Sequence, residues 1–454
     1  MSIRPATQAA GQGKAERLTW SRRKTQVLLA AMLSLSYNFL PEGCQLSQRY
    51  FSFARQLLTN MVFSQTSVEL VLAASILACQ AYGCGNSNAA WIVNGISATA
   101  GNVLGFHVGA DYEKWHSSGH ISQSAMKIRV QSYWASVVID RVLATCLGRH
   151  CLIHPTDFNM PLIQLKLPKS VRTTPEYGTL SYERNVVATF QHSVEFWKLS
   201  DQALYDFGYG LSKLSPDNAN ATAVFERVSE AVSKHRIQIQ DWYTQLPQEI
   251  MLSRSHPVPH LILLEMAYHN CQILIHRPFI LTCPCGSVNN RVEDPFLATI
   301  SPICKEHALQ IVELARVYQS HYSLQYSAFV LIHYLLNACK ILAISCQPQI
   351  ADKNDEPNTL SEALQTSIAA LQEIAHTWSQ AEKALHIVHH LTNNCDFRRR
   401  GCKSGEQPTG PNSKPISPFP SLDAVSGFGS SARFADWFNP DFDFGLLSFS
   451  DDFS

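Results

Sequence analysis

His386, His389 and His390 are the residues best spaced for chemistry. On a helix, His386 and His390 stand one turn apart on one face, the spacing with which two imidazoles grip a zinc ion. Metal-assisted hydrolysis would also need a carboxylate base between them and a third ligand. Ile387, Val388 and His389 fill that interval, so the three histidines read as a solvated cluster. The thirteen cysteines carry no stronger signal. The pairs nearest in sequence, Cys79 with Cys84, Cys146 with Cys151, Cys283 with Cys285, Cys339 with Cys346, and Cys395 with Cys402, all miss the Cys-x-x-Cys spacing that presents two thiolates from one turn. They read as reduced, mostly buried thiols. There is no Gly-rich phosphate loop and no Gly-x-Ser-x-Gly elbow. No catalytic residue, metal site or cofactor is therefore expected, and the chain is not expected to be an enzyme.

The elements that would position any other site are helical. The chain has 454 residues, 46% of them hydrophobic, and its 36 Lys and Arg balance its 36 Asp and Glu. A large core is therefore affordable in apolar residues, and no global attraction to nucleic acid or membrane is implied. Apolar residues recur at three and four from about residue 25 to 393, without a run of strand alternation. Helices are predicted over 48–59, 68–82, 89–104, 123–147, 183–208, 221–245, 259–276, 301–322 and 327–346. One more follows Thr359, with Leu364, Leu371, Trp378 and Leu385 repeating at seven. Thr359 and Glu362 have the spacing of a capping box for that helix. The most apolar run, Val68 to Tyr82, falls short of the roughly 20 residues that cross a bilayer and reads as a core helix. No secretory leader is evident.

Charged residues sit where this helical pattern would bury them. Arg129, Asp140 and Arg141 surround Trp134, with Arg149 one residue past Gly148. Such placement favours buried charge pairs that fix geometry. A turn at Gly148 would bring Arg149 back to a helix C-terminus, where a cation meets free carbonyls. Arg277, before Pro278, has the same reading at a helix end.

In order, Arg49-Tyr50, Ala54-Arg55-Gln-Leu-Leu58, Ala90-Trp91, Leu104-Gly-Phe-His107, Arg129 with Tyr133-Trp134, Asp140-Arg141, Leu147-Gly148-Arg149 and Asp157 to Pro161 resemble the fungal-specific transcription factor domain. Trp242-Tyr-Thr-Gln-Leu-Pro247 and Ile275-His-Arg-Pro-Phe-Ile280 continue the order. The likeness spans about residues 45 to 345. Phe106, Val130, His150 and Met160 depart from the family's usual residues. The resemblance implies an all-α regulatory domain of stacked antiparallel helices in a nuclear transcription regulator. It also implies an upstream binuclear zinc cluster, for which this sequence has no cysteine spacing. DNA contact would then be indirect, through a cluster-bearing relative with which the chain dimerises, or would come from an exon outside this sequence.

The termini differ in composition. Residues 1–25 form a basic, disordered N-terminus, 26–393 the helical domain, and 394–433 a Gly-, Ser- and Pro-rich linker. Residues 434–454 interleave acids with Trp437, Phe438, Phe442, Phe444 and Phe449, the composition of a disordered activation tail that docks in a co-activator or another part of the transcription machinery. Arg398, Arg399, Arg400 and Lys403 form a candidate nuclear localisation signal. The expected function is a nuclear activator of a pathway or specialised-metabolite gene cluster, with no membrane partner. The alternative is an effector-sensing or protein-interaction co-regulator, acting as a repressor in one form.

Overall fold

A computed structural model describes residues 6–64, 66–107, 122–154, 179–211, 221–248, 250–251, 257–281, 295–346 and 357–403. Among them are twelve α-helices, one 3-10 turn and no strand, as the apolar periodicity predicts. No described helix is long and apolar enough to cross a membrane. The chain divides into two compact units, the first made of Met1–Leu143 with Cys151–Tyr177, the second of Ala144–His150 with Gly178–Ser454.

The first unit is built from α1 (Ala6–Tyr37), α2 (Cys44–Val62), α3 (Val68–Gly83), α4 (Ser87–Val103) and α5 (Gln123–Leu147) up to Leu143. Its axis is α3, whose Leu70, Val71, Ala74, Leu77 and Ala78 have no exposed surface. A helix apolar on every side is stable only when surrounded. Here α1, α2 and α4 all pack on it. Ser67 starts it by accepting the Leu70 amide at 3.3 Å, and Asn86 starts α4 by accepting the Ala89 amide at 3.0 Å. The few polar groups inside find one another. Ser75 and Ser97 hydroxyls lie 2.8 Å apart, and Gln80 donates to Ser47 Oγ at 2.7 Å and to the Ser34 carbonyl at 3.1 Å.

The second unit contains α6 (Thr179–Leu211), α7 (Ala221–Thr244), α8 (Pro259–Leu281), α9 (Pro295–His321), α10 (Val330–Ser345), α11 (Pro357–Ala375) and α12 (Gln380–Lys403), with a 3-10 turn at Leu324–Tyr326. Its apolar centre is α10, against which α8, α9, α11 and α12 pack.

Several boundaries differ from the sequence reading: α1 starts at Ala6, inside the N-terminus expected to be disordered, and α12 runs to Lys403, into the expected linker. The heptad after Thr359 is not one helix: α11 ends at Ala375 and α12 begins at Gln380. Trp378, in the joint, explains why. Its indole donates to the Ser327 carbonyl at 2.9 Å and its ring meets Phe329 edge-on, so the residue that looked like a heptad knob anchors a corner. The helix also starts at Pro357, ahead of the expected Thr359 cap, and Glu362 accepts from Arg316 at 3.1 Å. Ser301-Pro302 resembled a helix start, yet α9 runs from Pro295 straight through Pro302, because Ile300 and Cys304 on either side are buried. Finally, α8 continues past His276 to Leu281, since Phe279 extends its buried face.

Candidate functional site

In the first unit, Asp140, whose side chain is fully buried on α5, gathers donors from three chain segments. Arg141 Nη1 donates to one carboxylate oxygen at 2.8 Å, and Asn94 Nδ2, from α4, to the other at 2.8 Å. The amides of Leu152 and Ile153 add bonds of 3.0 Å each to Oδ2. Burial pushes the carboxyl towards its neutral form, and Arg141, the two amides and Asn94 pull it back towards the charged one. A charge with this many donors holds three chain segments in register, and it leaves no oxygen open to a ligand.

A second knot lies nearby on α5. Arg129 donates to the Leu104 carbonyl at the end of α4 and stands 5.0 Å over the Phe106 ring. A guanidinium there meets the negative end of a helix and an aromatic face together. The turn it caps needs Gly105, at φ 68°, so that the Phe106 amide can return to the Gly101 carbonyl at 3.0 Å. Phe106 meets Tyr133 edge-on, and Tyr133 does the same to Trp134, which is buried. The pieces Leu104 to Phe106, Arg129 and Tyr133-Trp134 are thus parts of one packed arrangement.

Gly148, at φ 62°, ends α5 with the Arg149 amide donating to the Ala144 carbonyl at 2.9 Å. Arg149 itself is exposed and so is not one of the buried charges expected around Trp134. Its backbone closes the helix. Asp157 and Pro161 lie outside the described residues.

In the second unit, Arg277 is buried inside α8, where the sequence placed it at a helix end; Pro278 follows within the same helix. Its Nη1 donates to Asn337 Oδ1 at 2.6 Å, and Asn337 Nδ2 reaches Asn270 Oδ1 at 2.8 Å and His333 Nε2 at 3.0 Å. Burial, then the nearby Arg277 charge, holds His333 well below the usual imidazole range and brings Lys340 down to about 7. Sequence reasoning missed Asn270, His333, Asn337 and Lys340. The available signal was polar residues at steps of four and three on the otherwise apolar α10.

In the same unit, Tyr243, Leu246, Ile250, Leu261, Glu265 and Glu313 help to line a cavity of about 250 Å³ at the end of α7 and between α8 and α9. Tyr243 donates to Glu265 at 2.9 Å and stacks on Tyr268 at 4.1 Å. Tyr268 in turn meets His269 and His307, whose Nδ1 atoms are 2.8 Å apart. Burial lowers His269 to about 4 and His307 to about 3. Two neutral imidazoles can share a proton at that distance; two charged ones would repel.

His386, His389 and His390 are exposed on α12, and no group of three or more potential metal ligands occurs among the described residues. The backbone at Arg398, Arg399, Arg400 and Lys403 is helical, as the end of α12. Trp437, Phe438, Phe442, Phe444 and Phe449 lie outside the described residues.

Residues 6–243 match the fungal specific transcription factor domain, and the chain belongs to that family. The match starts and ends earlier than the motif span of 45 to 345, leaving Arg277 and α8 to α12 outside it. An uncharacterized transcriptional regulatory protein of Schizosaccharomyces pombe is 22% identical over 75% of this chain and 52% of its own length. The nitrogen assimilation transcription factor nit-4 of Neurospora crassa is 21% identical over 80% of this chain and 32% of its own. The TY1 enhancer activator of Saccharomyces cerevisiae is 25% identical over 30% of this chain and 18% of its own. The chain therefore spans from about a fifth to about half the length of these relatives. No solved structure matches it.

Proposed function

We propose that this protein is a nuclear transcription regulator that activates genes of one pathway or specialised-metabolite cluster and reaches DNA through a zinc-cluster-bearing partner. Family membership over residues 6–243 is the observation that carries the regulatory role. The acidic and aromatic residues 434–454 supply the activating segment, because acids keep Trp437, Phe438, Phe442, Phe444 and Phe449 solvated and available to a partner's groove. Arg398, Arg399, Arg400 and Lys403 direct import. The helical domain then serves as the scaffold on which a DNA-binding relative pairs.

Two fusions to a heterologous DNA-binding module test this reading, one full-length and one ending at Ser431. A reporter signal that disappears on truncation is the expected result; silence from both would count against activation. A second reading, a co-regulator that senses a small effector, is favoured by the cavity beside Tyr243 and Glu265, which offers an apolar wall with two carboxylates.

A further inference from the structure

The first unit carries two exposed thiols on neighbouring helices. Cys44 is the first residue of α2, and Cys84 directly follows α3; both are free and exposed, whereas Cys79 is buried and Cys151 half-buried. The register between the helices is fixed by Gln80, which donates to Ser47 Oγ at 2.7 Å. Ser47 lies near the start of α2 and Gln80 near the end of α3, so the two helices run antiparallel. Cys44 is three residues before Ser47, and Cys84 four residues after Gln80. In an antiparallel pair both steps go the same way along the axis, by about 4.5 and 6 Å. Residues three and four apart also share a helix face. Both cysteines therefore lie at the same end of the α2–α3 pair, about one turn outside the buried Ser34–Ser47–Gln80 network. Partial burial, and after it the neighbouring Cys44, pushes the Cys84 thiol up.

We infer that Cys44 and Cys84 form a reversible disulfide when the protein meets hydrogen peroxide, clasping the start of α2 to the end of α3. Cys44 attacks, since it is exposed on the first turn of α2, where the Gln48 side-chain amide donates to its sulfur at 3.6 Å. The Cys44 thiolate displaces hydroxide from the peroxide and becomes a sulfenic acid. Cys84 sulfur then attacks that sulfur, the S–S bond forms, and hydroxide leaves with the Cys84 proton as water. One peroxide is reduced to two waters and two thiols are oxidised. In the reduced state α2 and α3 are held at this end by the Gln80 hydrogen bonds; in the oxidised state the link is covalent and survives their loss.

The test is peptide mapping of the full-length protein after hydrogen peroxide and alkylation. Trypsin cuts at Arg49 and Arg55 between the two cysteines, and chymotrypsin at Tyr82 separates Cys84 from Cys79. The expected result is a cross-linked Cys44–Cys84 peptide pair lacking two hydrogens, loss of alkylation at both, and recovery with dithiothreitol. In Cys84→Ser, the sulfenic acid should persist on Cys44 and be captured by dimedone; in Cys44→Ser, Cys84 should stay alkylatable. Oxidation of Cys44 with Cys84 still alkylatable in the wild-type chain, or no oxidation of either, would overturn the inference.

Discussion

The two units bury charge by opposite means. In the first, Asp140 is satisfied by a neighbouring cation, an asparagine from α4 and two backbone amides, so the charge is compensated from three chain segments. In the second, the partner that Arg277 holds at 2.6 Å is a neutral side chain, and Lys340 and His333 beside it are pushed towards their neutral forms. One interior tolerates charge by pairing it; the other does so by leaving its neighbours unprotonated. The first should therefore be sensitive to loss of a partner and the second to acid.

The sharpest way to break the contrast is Asp140→Ala. It strands the Arg141 guanidinium and two amides in the interior, and should cost about 3–5 kcal/mol in urea unfolding, because an uncompensated buried charge remains. Loss of amide protection should begin in α4 and α5. A small effect would mean that water reaches Arg141.

Acid should act on the other unit. His269 and His276 titrate at about 4 and His307 at about 3, against 6.5 for an ordinary imidazole. Below pH 6.5 the unfolded chain binds protons that the folded one refuses, so stability is complete above that value and falls as pH drops towards 4. The slope is about 1.4 kcal/mol per pH unit for each extra proton. Hydrogen exchange from pH 7 to 5 should show α8 and α9 opening before α3 and α4; simultaneous opening would remove the distinction.

Arg277→Met should cost less than the Asp140 change, about 1–3 kcal/mol, because the groups left behind are neutral amides. It should also raise the Lys340 pKa from about 7, since a neighbouring cation is lost; Lys340 labelling by an amine-reactive reagent near pH 8 would then slow. The smallest effect belongs to Gly148→Ala, which forces an L side chain to φ 62° and should cost about 1 kcal/mol in thermal unfolding with no change in fold.

Much of the scaffold was legible because helical periodicity is a local property. The helix over 123–147 has the predicted limits, and 68–82 and 221–245 differ by one residue. Where boundaries moved, a long-range contact had outweighed the local signal. Trp378 sits on the seven-residue repeat, yet its hydrogen bond to Ser327 turns the chain. The expected helix began at Ser301, but burial of Ile300 and Cys304 carries α9 through Pro302 from Pro295. The site was only half visible. Asp140 and Arg141 stood out as charges on an apolar face, whereas Asn94, which completes the carboxylate's shell from α4, has nothing in its local sequence to mark it.

Sequence alone determined the all-α class, the family motif in its order, and the contrast between an apolar helical region and an acidic, aromatic end, since each depends on composition or on spacing within one element. Tertiary structure decided which charges are buried, that Arg149 is not among them, and that Arg277 answers to Asn337 sixty residues away. Those pairings depend on how helices pack. The free energy that selects one register over another is shared among many side chains distant in sequence, and no single stretch encodes it.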